Sequence, residues 1–302
     1  MSAWLEFEKL AAQIYSELQP QARVTHNDKI LGRNTGIERQ IDVSIRANVA
    51  GHDLLIIVQA KDYNRRADIN VVGEFASVVD DVRASKGVLV CRSGFTEDAQ
   101  KYARNLGIDL CNLHDAESRK WALDIKLPLL WIDYLPELDI HFEAYFEAGD
   151  SLSQNPQEWI FSANGGKSRI LLFDTFEKNW NAGRLDRTVG VTHTISLAQQ
   201  GIQLLVDNGN WRSVNFLVLR YEVSRKAWLG YFSPKECRGI LNLLEDSFRA
   251  SYFNIGEVPL IRDESWQPID DPDKLAIDTK GTLITTEGWQ ILSDGRKYNI
   301  HL

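Results

Sequence analysis

The sequence predicts an α/β N-terminal domain, a mixed sheet with flanking helices, followed by a β-rich α+β region. Three observations carry this. Two strand-like stretches, Ile41–Arg46 and Leu54–Lys61, lie close together near the N-terminus. Helix-period and short apolar segments then alternate up to about residue 115. Beyond about residue 130 the pattern changes to two-residue alternation with turn signals.

The first element is an amphipathic helix. Trp4, Phe7, Ala11, Ile14 and Leu18 recur at spacings of three and four, which defines its core face. Val43 and Ile45 then share one face of a strand, while Asp42, Ser44 and Arg46 share the other. Ala50-Gly51-His52-Asp53 reads as a hairpin loop. Leu54 to Val58 is apolar throughout and suits a central strand covered on both faces. Gln59 and Lys61, two apart, point the same way. Antiparallel pairing of the two strands brings Asp42, Gln59 and Lys61 together.

Val72, Phe75, Val78, Val79 and Val82 mark a second helix, and Gly87–Cys91 a short buried strand. Thr96 is placed to cap a third helix that Gly107 ends, and Ile108–Leu113 reads as the next strand.

The chemistry at the first two strands is specific. A hard divalent cation prefers oxygen ligands. Asp42 offers a carboxylate, Gln59 an amide oxygen and Ala60 a backbone carbonyl. A metal held there lowers the pKa of a bound water. Lys61 is placed to orient that water or to offset charge building on a phosphate. Asp and Lys near strands are also common as plain surface residues, so spacing alone leaves both readings open.

The flanking motifs narrow it. Phe7-Glu8-Lys9-Leu10-Ala11, Gly36-Ile37-Glu38-Arg39-Gln40-Ile41-Asp42-Val43 and Val58-Gln59-Ala60-Lys61-Asp62-Tyr63 occur in order. Lys86–Val90 and Gly94–Ala99 follow. In this order and spacing residues 3–115 resemble the Mrr-like branch of the PD-(D/E)xK nuclease superfamily. The resemblance implies a restriction-endonuclease-like fold and Mg²⁺-dependent cleavage of DNA, with Mn²⁺ as a substitute, in restriction or phage defence. It implies Asp42, Gln59 and Lys61 as catalytic residues and Glu8 as the helix-borne carboxylate completing the metal set of Asp42, Gln59, Ala60 and Glu8. Gln59 stands where many members have an acid, which weakens the site and raises the weight on Glu8. Glu38 is a second candidate. Cleaving both strands with one such site per chain favours a homodimer.

Arg33, Arg39, Arg65, Arg66 and Lys29 flank the site and are candidate phosphate contacts. Net charge is −8, but residues 1–120 hold 16 Lys+Arg against 17 Asp+Glu. The acidity therefore belongs to the remainder, with 18 against 25, and argues against broad backbone contact there.

A boundary is expected between about residues 115 and 135, where Pro128 and Pro136 stand, giving domains 1–120 and 128–302. In the second, Leu138–Glu147 alternates as a strand. Ile202–Val206 and Val214–Val223 flank the turn Asp207-Asn208-Gly209-Asn210. Trp228–Phe232 reads as a third strand, Cys237–Phe248 as a helix, and Leu275–Ile277 and Thr282–Thr285 as further strands. His193 between two threonines reads as a strand residue rather than a base. Eight of the nine tryptophans lie beyond residue 120 and read as core aromatics. This domain is expected to recognise a target, sense a small ligand, bind a protein partner or dimerise.

Three scattered cysteines, Cys91, Cys111 and Cys237, exclude a disulfide framework, and dispersed histidines exclude a zinc site. No apolar run reaches the ~18 residues a bilayer span needs. The N-terminus has no signal pattern, so a cytoplasmic location with no membrane contact is expected. Two rival readings stand beside the nuclease: a degenerate nucleic-acid-binding module, and a sensor or scaffold acting through the second domain.

Overall fold

The computed structural model describes residues 3–118, 120–197, 201–278, 280–289 and 298–301. The chain divides into two units. The first is Met1–Pro128 with Tyr231–Ile261 and Leu275–Leu283; the second is Leu129–Gly230 with Arg262–Lys274 and Ile284–Leu302.

The first unit opens with α1 (Ala3–Leu18), β1 (Arg23–Leu31), β2 (Glu38–Val49) and β3 (His52–Lys61), followed by α2 (Ile69–Asp81), β4 (Lys86–Cys91), α3 (Glu97–Leu106) and β5 (Asp109–Asp115). The second unit takes most of β6 (Leu127–Ala144), then β7 (Ile160–Ser162), β8 (Ile170–Leu171), α4 (Leu172–Asn181), β9 (Thr192–Ser196), β10 (Gln203–Leu205) and most of β11 (Trp211–Phe232). β12 (Cys237–Asn242) and β13 (Ser247–Phe253) return to the first. β14 (Gln267–Ile269), α5 (Pro272–Asp278), β15 (Ile284–Gly288) and β16 (Tyr298–His301) end the chain.

The seven-stranded sheet of the first unit runs β1-β2-β3-β4-β5-β12-β13. β3, β4 and β5 are parallel neighbours and the remaining pairs are antiparallel. One face packs on α1 through Phe7, Leu10, Ala11, Ile14, Val43, Val58 and Val90. The other packs on α2 and α3 through Ile57, Val72, Phe75, Leu89, Ala99 and Leu110. Burial on both faces explains why β3 and β4 read as continuous apolar runs.

Local chemistry sets the ends. Val49 pairs with His52, so the β2–β3 turn is only Ala50-Gly51, both at positive φ (51° and 85°). That is the hairpin turn whose twist matches the strands, and it is shorter than the expected loop. Asp68 caps α2 by accepting from Asn70 and Val71 N–H. Thr96 accepts from Ala99 N–H, and Gly107 (φ 67°) ends α3 in the left-handed region.

Several expectations need correction. Trp4 is 55% exposed and lies off the core face of α1. Strand β1 was not anticipated. Cys237–Phe248 is not a helix but β12, a turn and the start of β13: Asn242 Oδ1 accepts from Leu244 and Glu245 N–H, and Asp246 has φ 52°. Those turn contacts defeat the helical spacing of Ile240, Leu241, Leu244 and Phe248. Leu275–Ile277 lies in α5, not a strand: Pro272 fits a first turn, and Asp271 accepts from Asp273 and Lys274 N–H. The division between units falls at Pro128–Leu129, near the start of β6, which passes through both Pro128 and Pro136.

The second unit's nine-stranded sheet runs β16-β15-β6-β11-β10-β7-β8, with β9 and β14 also paired to β11. Trp228–Phe232 continues the 22-residue β11 rather than forming a separate strand. Leu205 pairs with Trp211 across the expected turn, with Gly209 at φ 85°. Trp131, Trp180 and Trp266 are buried as core aromatics, and His193 sits in β9 stacked on Tyr221. An apolar cavity of about 650 Å³ lies among residues including Phe161, Phe176, Leu217 and Leu219. The three cysteines are free and buried; burial raises the Cys237 thiol to about 12. Among the described residues no helix is long and apolar enough to cross a membrane.

Candidate active site

The β1–β2–β3 arrangement positions the sequence-predicted residues. Val43 pairs with Val58, where the β2–β3 ladder ends beside Asp42 and Gln59. The pleat changes side here. Val43 is buried in the α1-side cluster, yet Ile41, two residues away, is buried in the α2-side cluster. An undisturbed strand would put both on one face. β1 does the same: Val24 packs on the α1 side and Ile30 on the α2 side. Between them Asn27 has φ 53°, level with Asp42 in the β1–β2 register. Asn tolerates this left-handed conformation better than most residues.

At this irregularity Asp42 is released to bond the neighbouring strand: its Oδ2 accepts from Ala60 N–H at 2.8 Å. Burial raises the Asp42 pKa, opposed by that hydrogen bond and by the charges of Lys61 and His26. Glu8 reaches the same place from α1. Its pKa is also raised, first by burial and then by the charge of Asp42, against the opposing pull of His26 and Lys61. Two carboxylates and a lysine thus converge at the end of β3. The Gln59 side chain is half-buried and makes no side-chain hydrogen bond in the described contacts.

The donors available are oxygens: two carboxylates, an amide and the Ala60 carbonyl. That set suits a hard divalent cation, and the mutual repulsion of Glu8 and Asp42 is what such a cation would relieve. No group of three His, Cys, Asp or Glu side chains among the described residues is arranged as a metal cluster.

The other sequence-predicted residues divide. Arg33, Arg65 and Arg66 are exposed, and none is in an ion pair among the described residues. Arg39 differs from expectation: its Nε lies 2.6 Å from Asp81 Oδ2. Asp81 also accepts from Asn34 N–H, Thr35 N–H and Thr35 Oγ1. Arg39 therefore holds the β1–β2 turn against the end of α2 instead of standing free for a phosphate. A Cβ on Gly32 would come within 2.3 Å of Asp81 Oδ2, which is why glycine stands there. Lys29 and Glu38 pair with each other at 2.9 Å on the surface, so Glu38 is a solvent-facing acid and not a second metal ligand.

Two residues near the site were not anticipated. His26 on β1 has Nε2 3.4 Å from Glu8 Oε2. Arg92, after β4, pairs with Asp62 at 3.1 Å and donates to Asn64 Oδ1, tying down the segment that carries Arg65 and Arg66. Neither has a sequence signal of its own; each becomes visible only once β1 pairs with β2 and β4 with β3.

The N-terminal region is similar in sequence to restriction-endonuclease domains. Residues 1–116 match the family model Mrr_cat, described as restriction endonuclease. The comparison with curated proteins gave no match. Among solved structures, a protein of unknown function designated AF1548 is 19% identical, with 36% of this chain and 57% of that chain covered and a TM-score of 0.31. The MspJI restriction endonuclease in complex with a 27-mer oligonucleotide is 21% identical, with 36% of this chain and 26% of that one covered and a TM-score of 0.27. The matched segment spans less than two thirds of either structure's length.

Proposed function

We propose that this protein is a divalent-metal-dependent endonuclease that hydrolyses phosphodiester bonds in DNA, acting in restriction or phage defence in the cytoplasm. The observation that carries the reading is the convergence of Glu8, Asp42 and Lys61 where β3 ends, on an N-terminal segment that matches a restriction-endonuclease family. Asp42, Glu8, Gln59 and the Ala60 carbonyl would hold Mg²⁺, or Mn²⁺ in its place. When bound, such an ion activates water and neutralises charge on the phosphate.

The chain's own groups do the rest. The Ala60 N–H fixes one Asp42 oxygen and leaves the other to face the site. Lys61 orients the attacking water and offsets charge as the phosphorus becomes five-coordinate. Arg65 and Arg66, exposed beside Lys61, draw in the phosphate backbone. The second unit supplies target selection or dimerisation, and its apolar cavity gives a small ligand a place to act. A homodimer would set two such sites on opposite strands of a duplex.

A second reading rests on Gln59: with an amide where an acid would add charge, the domain would bind nucleic acid without cutting it. A panel of duplex, modified, single-stranded and RNA substrates with Mg²⁺ or Mn²⁺ tests both. Cleavage by the wild type that Asp42→Ala and Lys61→Ala each abolish supports the nuclease. Binding without cleavage at millimolar metal supports the second reading and overturns the first.

A further inference from the structure

We propose that His26 is a positioning residue that holds Glu8 in place for the metal site. This rests on the reading of Glu8 and Asp42 as metal ligands. His26 faces Val43 in the antiparallel β1–β2 register, and Val43 is buried under α1. The side change at Asn27 separates His26 from Asp28. Asp28 is engaged elsewhere, accepting from Ser44 Oγ at 2.6 Å and Arg46 Nη1 at 2.7 Å. His26 is left on the α1 side with Glu8, whose side chain is 13% exposed.

His26 Nε2 is buried and has no hydrogen bond, and Glu8 Oε2 lies 3.4 Å from it. A buried ring nitrogen without a partner is costly, and a slight rotation of either side chain converts this contact into a bond. Glu8 gains as much: it stands near Asp42 with like charge, and a donor behind it is what keeps its carboxylate in that position. The role inferred for His26 is not that of a ligand, because its Nε2 lies against the Glu8 carboxylate at 3.4 Å. Its place is behind a ligand, where a hydrogen bond to a ligating carboxylate sets orientation and typically changes metal affinity about 10–100-fold.

The test is a titration of the full-length chain with Mn²⁺ in the absence of nucleic acid, following free Mn²⁺ by electron paramagnetic resonance. Wild type binds, and Asp42→Ala does not. His26→Leu weakens binding about tenfold or more. His26→Gln, whose amide still donates to Glu8, recovers most of it. In a Glu8→Gln background His26→Leu has no further effect, because the route through Glu8 is already gone. Should His26→Leu fail to fold, His26→Asn, too short to reach Glu8, takes its place with the same expectation. Equal Mn²⁺ affinity of wild type and His26→Leu, or a His26→Gln variant as weak as His26→Leu, overturns the inference and leaves the metal site standing. Absence of Mn²⁺ binding by the wild type overturns the metal site and the inference with it.

Discussion

Two acid clusters in the first unit meet opposite fates. Asp81 is 3% exposed, yet Arg39, Thr35 and Asn34 give it four hydrogen bonds, which overcome the cost of burial and hold its pKa at about 2. Asp42 and Glu8 are also withdrawn from water, but burial outweighs their few partners and both pKa values are raised. The first cluster is complete and fixes a turn. The second is incomplete within the protein alone, as expected of a site whose remaining partners come from outside.

Breaking the incomplete cluster should have the largest effect. Asp42→Ala and Lys61→Ala are each expected to lower metal-dependent cleavage about a thousandfold with unchanged circular dichroism. Retained cleavage in both would sink the assignment.

Neutralising one acid in each cluster sharpens the contrast in stability. Without metal at neutral pH, Asp81→Asn should lower Tm, since Arg39 loses its counter-charge. Asp42→Asn keeps an acceptor for Ala60 N–H and removes an ill-compensated charge, so it should stabilise by about 1 kcal/mol. Thermal melts of the two variants side by side decide it; shifts of the same sign would show that the two clusters do not differ in this way.

The pH profiles should run in opposite directions. Asp81 contributes stability that is full above its ordinary value of 3.8 and is lost as pH falls through about 2. For Asp42 and Glu8 the native state binds protons more readily than the unfolded chain. Their contribution is therefore most favourable at low pH and declines as pH rises from the ordinary carboxylate range through the raised values. Metal binding needs both deprotonated, so Mn²⁺ affinity should fall as pH drops through that same window. The difference in ΔG of unfolding between wild type and Asp42→Asn, followed from pH 3 to 7, is the check.

The smallest effect belongs to the exposed cations. Arg65→Ala with Arg66→Ala should lower the log–log salt dependence of DNA binding by about 2, uniformly across sequences. The same binding isotherms for Arg39→Ala should show an unchanged slope, because Arg39 serves Asp81.

What could be read from the sequence follows the same division. Strands β3 and β4 and helix α3 are legible because both sheet faces are covered and Thr96 and Gly107 mark the helix ends. The strand pair that carries Asp42, Gln59 and Lys61 is legible because a hairpin's register is local. Strand β1 is not: only Val24 and Ile30 anchor it, and they fall on opposite sides of the sheet, so no alternation survives. His26 was hidden with it. The Arg39 contact is not legible because its partner, Asp81, lies 42 positions away. The paired strands β12 and β13 read as a helix because spacings of three and four in so short a run do not separate the two states.

Those last two strands have a consequence for synthesis. β12 pairs with β5 and β13 with β12, and both follow the bulk of the second unit in the chain. A ribosome therefore delivers α1 through β5 early, with the outer edge of β5 unpaired until more than 120 further residues have been made. Cutting the chain at residue 120 leaves that edge open for good. The seven-stranded sheet can close only after β6 to β11 have been made, so the first unit is finished later than the bulk of the second.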